Sequence, residues 1–347
     1  STPSRATMRQ ASDPRGAAMG MVLAAVLLSP LLAAQQPRRP LSRPAAPASS
    51  TPLPPSAQKG DLYRFSVETR LVVLHATVLD KDKHLVTNLT RDNFRVYDNE
   101  VEQAIRDFKR EDIPVSVGII VDNSGSMRDK RPKVNAAALT FVRTSNPQDE
   151  VFIVNFNDEA FLDKDFTSNI EELKEGLEKI DSRGGTAFYD AIQMSIDHLK
   201  ESGRKSKKVL LVVTDGEDNA SRMSLEQLLD YVKRSEAVIY TAGLLGEENA
   251  RAARRARKAM EAISEATGGL AFFPRDVNEV EGVATKVAHD IRNQYVLTYR
   301  PSDPAQDGRY HAVQVRASAP GKSKLFVRTR TGYYAGSPAS AATRPSE

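Results

Sequence analysis

The chain has 347 residues, 40% of them hydrophobic, with 49 Lys and Arg against 45 Asp and Glu for a formal net charge of +4. The length exceeds one usual core and predicts about two domains plus tails, while a charge this small, with many of its arginines in the first 45 positions, indicates no nucleic-acid partner. Cysteine is absent, which excludes disulfides, thiolate zinc sites and a cysteine nucleophile together.

At the N-terminus, Arg5, Arg9 and Arg15 precede an uncharged stretch from Gly16 to Ala34, and the small pair Ala33-Ala34 precedes Gln35-Gln36. This positive, apolar, small order predicts a secretory signal over residues 1–34. An uncleaved membrane anchor is the alternative, because the run approaches spanning length. Either reading makes the protein exported, periplasmic or extracellular, with membrane contact only through such an anchor. Residues 35–60, rich in Pro, Ala and Ser, read as a flexible linker. Residues 61–112 then turn to strands: Arg70–Leu79 is β-branched and of strand length, Asp80-Lys81-Asp82-Lys83 reads as a turn, and Phe94–Tyr97 and Ala104–Phe108 supply two more.

Residues 113–293 alternate strand with helix. The strands are Val115–Val121, Glu150–Phe156, Val209–Thr214, Ala237–Thr241 and Leu270–Phe273, and Glu150–Phe156 is placed at the edge of the sheet. The helices are Lys133–Arg143, Ile170–Ile180, Phe188–Lys200, Leu225–Arg234, Ala252–Ala266 and Val277–Arg292. Near-continuous apolar strands predict a sheet covered on both faces, hence a doubly wound, mostly parallel α/β domain. Residues 294–335 return to strands at Gln294–Tyr299, His311–Ala317 and Lys324–Arg330, and residues 336–347 are expected to be a disordered tail. A three-strand fragment alone is marginal, so 61–112 and 294–335 are expected to meet as one small β-sandwich holding the α/β domain as an insertion.

Three distant segments carry hydroxyls and carboxylates in a pattern that reads as one metal site. Asp122-Asn123-Ser124-Gly125-Ser126 follows one apolar strand, Asp215 follows another, and Thr186 in Gly184-Gly185-Thr186 opens a helix. In an open α/β sheet, ligands gather outside the carboxyl ends of the strands. Hydroxyl oxygens with few carboxylates suit Mg²⁺, which keeps several waters; Mn²⁺ or Ca²⁺ are the alternatives. With Ser124, Ser126 and Thr186 as neutral ligands, Asp122 and Asp215 are free to orient waters or hydroxyls, and the ion keeps its charge for an outside carboxylate.

Here the chain resembles the von Willebrand factor type A family. Asp122-x-Ser124-x-Ser126, Thr186 and Asp215 match the five positions of that family's metal-ion-dependent adhesion site, and Gly184–Ala191 and Thr214-Asp215-Gly216 resemble its threonine and aspartate loops. The flanks resemble the bacterial VWFA-related proteins, through Val86–Asp98, Tyr295–Pro301 and Gly332-Tyr333-Tyr334. The resemblance implies a non-enzymatic adhesion protein whose Mg²⁺ captures an Asp or Glu carboxylate of a protein partner. It also implies that movement of the last helix of the α/β domain is coupled to ligand capture. The alternatives are an architectural envelope component with a structural metal, or a metal-assisted hydrolase. The second lacks any recognisable nucleophile, base or phosphate loop.

Other polar features have plain readings. Asp-Asn-Ser clusters also cap helices. Glu217 and Asp218 read as a solvated loop, and Asp158, Glu159, Asp163 and Asp165 as acidic surface. The five histidines are scattered without ligand spacing. Arg251, Arg254, Arg255, Arg257 and Lys258 read as a solvated helix face. Gly125 is expected to permit close backbone approach.

Overall fold

The computed structural model describes residues 71–110, 112–179, 182–246, 249–303, 307–321 and 324–336. The expected signal or anchor, the linker and the tail beyond residue 336 lie outside them. Among the described residues, no helix is long and apolar enough to cross a membrane.

The apolar runs of the middle form a sheet of six strands. Strand β5 (Val115–Asp122) lies inside it, flanked by β6 (Glu150–Phe156) and by β8 (Lys207–Thr214); β9 (Val238–Gly243) and β10 (Ala271–Phe272) follow beyond β8. All of these run parallel. Every residue of β5 is buried, because both faces are covered. Val117, Ile119 and Val121 point to the face packed by helices α1 (Arg131–Thr144), α2 (Ile170–Glu178) and α6 (Val280–Arg292). Ile120 points to the face packed by α3 (Phe188–Ser202), α4 (Leu225–Arg234) and α5 (Ala250–Thr267). Gly118 shares this second face, where a Cβ would come within 2.3 Å of the Phe152 ring.

One strand of this sheet departs from expectation. Ala160–Thr167 forms β7, which pairs antiparallel with β6 and takes the edge in its place. Its Asp163, Lys164 and Asp165 hid it as acidic surface. Charge on an outermost strand is a common guard against unwanted pairing.

The flanking segments build two antiparallel four-stranded sheets. In one, β1 (Val72–Leu79) and β4 (Ile105–Lys109) both pair with β11 (Tyr295–Tyr299), and β13 (Phe326–Arg328) lies outside β1. In the other, β2 (Phe94–Asp98) pairs with β12 (Tyr310–Ala317), with β3 (Val101–Gln103) and β14 (Gly332–Tyr334) at the edges. The two sheets share one core, including Leu74, Phe94, Val96, Tyr295 and Leu297, in a sandwich-like module. Strands from before and after the α/β unit therefore pair directly, with Lys109 opposite Val296 and Val72 opposite Tyr299. The short β3 follows a two-residue turn in which Asn99 and Glu100 have φ of 46° and 69°, the geometry of a type I′ hairpin.

Buried polar groups fasten α6 to this module. Asp290 accepts from Thr77 of β1 (3.0 Å) and from the Tyr240 hydroxyl of β9 (2.7 Å), and it pairs with Arg328 of β13. Gln294 donates to Thr77 and Tyr240, each at 3.2 Å. Arg328 stays largely buried, so removing Asp290 strands a desolvated guanidinium. Replacement Asp290→Ala is expected to cost about 3 kcal/mol of unfolding free energy, read by chemical denaturation.

His75 on β1 carries a second consequence. Its buried Nδ1 has no hydrogen-bond partner, and burial, then Lys207 and Arg330, push its pKa down to about 3. The unfolded chain then binds a proton that the folded chain refuses, at any pH between about 3 and the ordinary value near 6.5. This contribution to stability is complete above that window and is lost as pH falls through it. His75→Gln is expected to flatten the fall in denaturation midpoint between about pH 6.5 and 4.

Candidate metal centre

In sequence order the chain passes from β5 to β6 on one side, then crosses to β8 on the other, so β5 and β8 flank the topological switch point. Asp122 ends β5 and Asp215 follows β8, which places both carboxylates at the crevice such a switch opens.

Asp122 is fully buried. Its Oδ1 accepts the Ser124 N–H at 2.7 Å and its Oδ2 accepts the Thr214 hydroxyl at 2.6 Å. Burial pushes its pKa above the usual carboxylate range, and the bonds from Thr214 and Ser124 oppose that rise. Beyond it the hydroxyls form a chain: Ser124 Oγ lies 3.2 Å from Ser126 Oγ, and Ser126 donates to Asp215 Oδ1 at 2.8 Å. The other Asp215 oxygen pairs with the Lys130 ammonium. Ser126 is exposed while Ser124 and Asp215 are buried, so the chain of oxygens climbs from the core to solvent.

Thr186 arrives on a different loop. Gly184 there has φ +76°, and a Cβ on it would lie 2.0 Å from Asp158 Oδ2. Asp158 itself accepts the Gly185 N–H at 2.7 Å. Asn219 clamps the loop to the segment after Asp215: its Oδ1 accepts from Thr186 N at 2.9 Å, and its N–H donates to Thr186 O at 3.1 Å. Thr186 Oγ1 lies 3.5 Å from where a Cβ on Gly216 would stand, beside Asp215. The loops that carry the five residues picked out in the sequence thus meet beside the carboxyl ends of β5 and β8.

Several supports were not legible beforehand. Asp218, read as solvated, is half-buried and accepts from Tyr189 N (3.0 Å) and the Ser221 hydroxyl (2.5 Å), bracing the start of α3. Asp163, read as surface, accepts from Asn155 Nδ2 at 2.8 Å. Arg131 lies fully buried beneath the crevice, donating to Asn155 Oδ1 and Leu177 O at 2.9 Å and, at 3.4 Å, to the Asp122 carbonyl. Burial lowers its pKa to about 10 against the pull of Asp122 and Asp163. Gly125 departs from expectation: a Cβ there meets nothing within 4 Å, so no close approach requires glycine. Glu217 pairs with Arg255, which gives one member of the basic helix face a partner.

The donor set fits a hard divalent ion. It consists of oxygens, and adjacent ligands of an octahedral ion with bonds near 2.1 Å stand about 3 Å apart, close to the 3.2 Å between Ser124 and Ser126. A second grouping, Asp80, Asp82 and His84, sits exposed in the turn after β1. There Asp80 Oδ1 is occupied by the N–H groups of Asp82 and His84 at 2.9 and 2.8 Å, as a turn requires.

Compared with known proteins, residues 117–217 match the family model of the von Willebrand factor type A domain, a span that includes Asp122, Ser124, Ser126, Thr186 and Asp215. The chain carries a von Willebrand factor type A domain. Inter-alpha-trypsin inhibitor heavy chain H4 of Bos taurus is 28% identical over 117 residues, which are 30% of this chain and 13% of that protein's length. Among solved structures, von Willebrand factor type A from Catenulispora acidiphila is similar with a TM-score of 0.45 and 15% identity, over 69% of this chain and 72% of that one. The vWF domain of the type V pili tip protein Mfa5 from Porphyromonas gingivalis has a TM-score of 0.43 and 13% identity, over 52% of this chain and 95% of that one. A domains serve binding and adhesion, and they often take a divalent metal.

The braces and the surface pairs of this A domain differ in weight. Asp218→Ala removes the acceptor of the Ser221 hydroxyl and one of two acceptors of the Tyr189 N–H, and is expected to cost about 1–2 kcal/mol. Glu217→Ala, which loses only a pair with the exposed Arg255, is expected to cost under about 1 kcal/mol. Paired urea titrations check the contrast.

Proposed function

We propose that this is an exported, non-enzymatic binding protein whose A domain holds Mg²⁺ at Asp122, Ser124, Ser126, Thr186 and Asp215 and captures an Asp or Glu side chain of a protein partner. The observation that carries the reading is the ladder of oxygens from buried Asp122 through Ser124 to exposed Ser126 at the switch point. A bound divalent ion supplies an electrophile for an incoming carboxylate. The residues of the chain orient the hydroxyls and hold them. Thr214 and the Ser124 N–H occupy both oxygens of Asp122, and Ser126 and Lys130 occupy those of Asp215. Export rests on the Arg5–Ala34 pattern, and the domain division on the strands that pair across the α/β unit.

The test is capture from an envelope extract with Mg²⁺ or with EDTA, using wild type, Asp122→Ala and Thr186→Ala. The expected result is a partner retained in Mg²⁺, released by EDTA and lost in both variants, with the melting temperature of Thr186→Ala near wild type in EDTA and that of Asp122→Ala lowered by the loss of its two buried hydrogen bonds. Capture that persists in both variants, with melting temperatures lowered, would support an architectural role instead.

A further inference from the structure

Resting on the metal reading above, we propose that Lys130 is a tethered cation that competes with the divalent ion for Asp215, so that the ion is held weakly until an outside carboxylate joins it.

Geometry places the competitor. Lys130 is anchored at the entrance of α1, its N–H donating to Met127 O at 2.9 Å and its carbonyl accepting from Val134 N at 3.1 Å. From that fixed point its side chain reaches Asp215, whose carboxylate is 1% exposed, while the lysine side chain remains 33% exposed. The ammonium therefore covers Asp215 from the solvent side, and the remaining oxygen is taken by Ser126. A cation entering from solvent meets a carboxylate already neutralised.

Charge counting gives the consequence. At Asp215 the single negative charge is already met by the Lys130 ammonium. A divalent ion ligated there would stand beside that ammonium with excess positive charge, in surroundings where burial amplifies repulsion. Arg131 is fully enclosed and cannot withdraw. Lys130 can, because its stem is flexible and its head borders solvent. Ion entry therefore requires the ammonium to swing out, and a carboxylate from a partner then lowers the excess charge. By linkage, the factor by which that carboxylate tightens the ion equals the factor by which the ion tightens the carboxylate.

The experiment titrates full-length protein with Mn²⁺, following the free ion by electron paramagnetic resonance, for wild type, Lys130→Met, Lys130→Gln, Lys130→Arg and Asp122→Ala. Both neutral variants are expected to bind Mn²⁺ about tenfold more tightly than wild type, equivalent to about 1.4 kcal/mol. Lys130→Arg, which keeps the charge, is expected to stay near wild type. In EDTA the neutral variants are expected to melt below wild type, and Mn²⁺ should raise their melting temperature by more than it raises that of wild type. Equal or weaker Mn²⁺ binding in both neutral variants, with wild-type binding intact and abolished by Asp122→Ala, overturns the role of Lys130 and leaves the metal reading standing. Absence of Asp122-dependent Mn²⁺ binding in every variant overturns both.

Discussion

A carboxylate at the end of a fully buried strand must be satisfied where it stands, since desolvating it without partners costs several kcal/mol. Asp122 is in that position, and much of the crevice is arranged around it. The Ser124 N–H and the Thr214 hydroxyl supply its bonds, one from the loop after β5 and one from the end of β8. Those bonds hold the ends of two adjacent parallel strands together where the switch point would let them part. The third loop is then clamped to the second by Asn219 and Asp218. Local polar accounting at Asp122, Asn219 and Asp218 thus sets the spacing of three loops.

The parts of this fold that were legible in advance are those whose signal is local. β5 and β8 are continuous apolar runs because helices cover both faces, and α3 and α4 begin at the predicted residues. β7 was missed because an edge strand alternates with charge and resembles a surface loop. β3 and β14 have three residues each and acquire their identity from partners far along the chain. The site divides in the same way. Asp122, Ser124, Ser126, Thr186 and Asp215 stand in short segments with recognisable spacing. Lys130, Asn219 and Asp158 have no such spacing, and their roles exist only once distant loops meet.

The junction between the α/β unit and the sandwich-like module follows a related logic. Asp290, Thr77, Tyr240 and Arg328 come from four different elements and close on one another in a buried cluster. Any travel of α6 along its axis must break these bonds together. The expectation that α6 moves on capture meets that resistance at its C-terminal end, so displacement without loss of the cluster is confined to its N-terminal turns.

The path of the chain also determines how the molecule bears load. Under the proposed function, a captured partner would pull at the carboxyl ends of β5 and β8. The chain enters the sheet at the opposite end, where β4 runs into β5, and leaves it there as α6 runs into β11, with β4 and β11 paired side by side. Tension between partner and module is therefore directed lengthwise through the central strands. Rows of backbone bonds between β5 and its neighbours are sheared in parallel, so no single bond is peeled first. The two polypeptide connections to the module share the strain across one seam of antiparallel bonds.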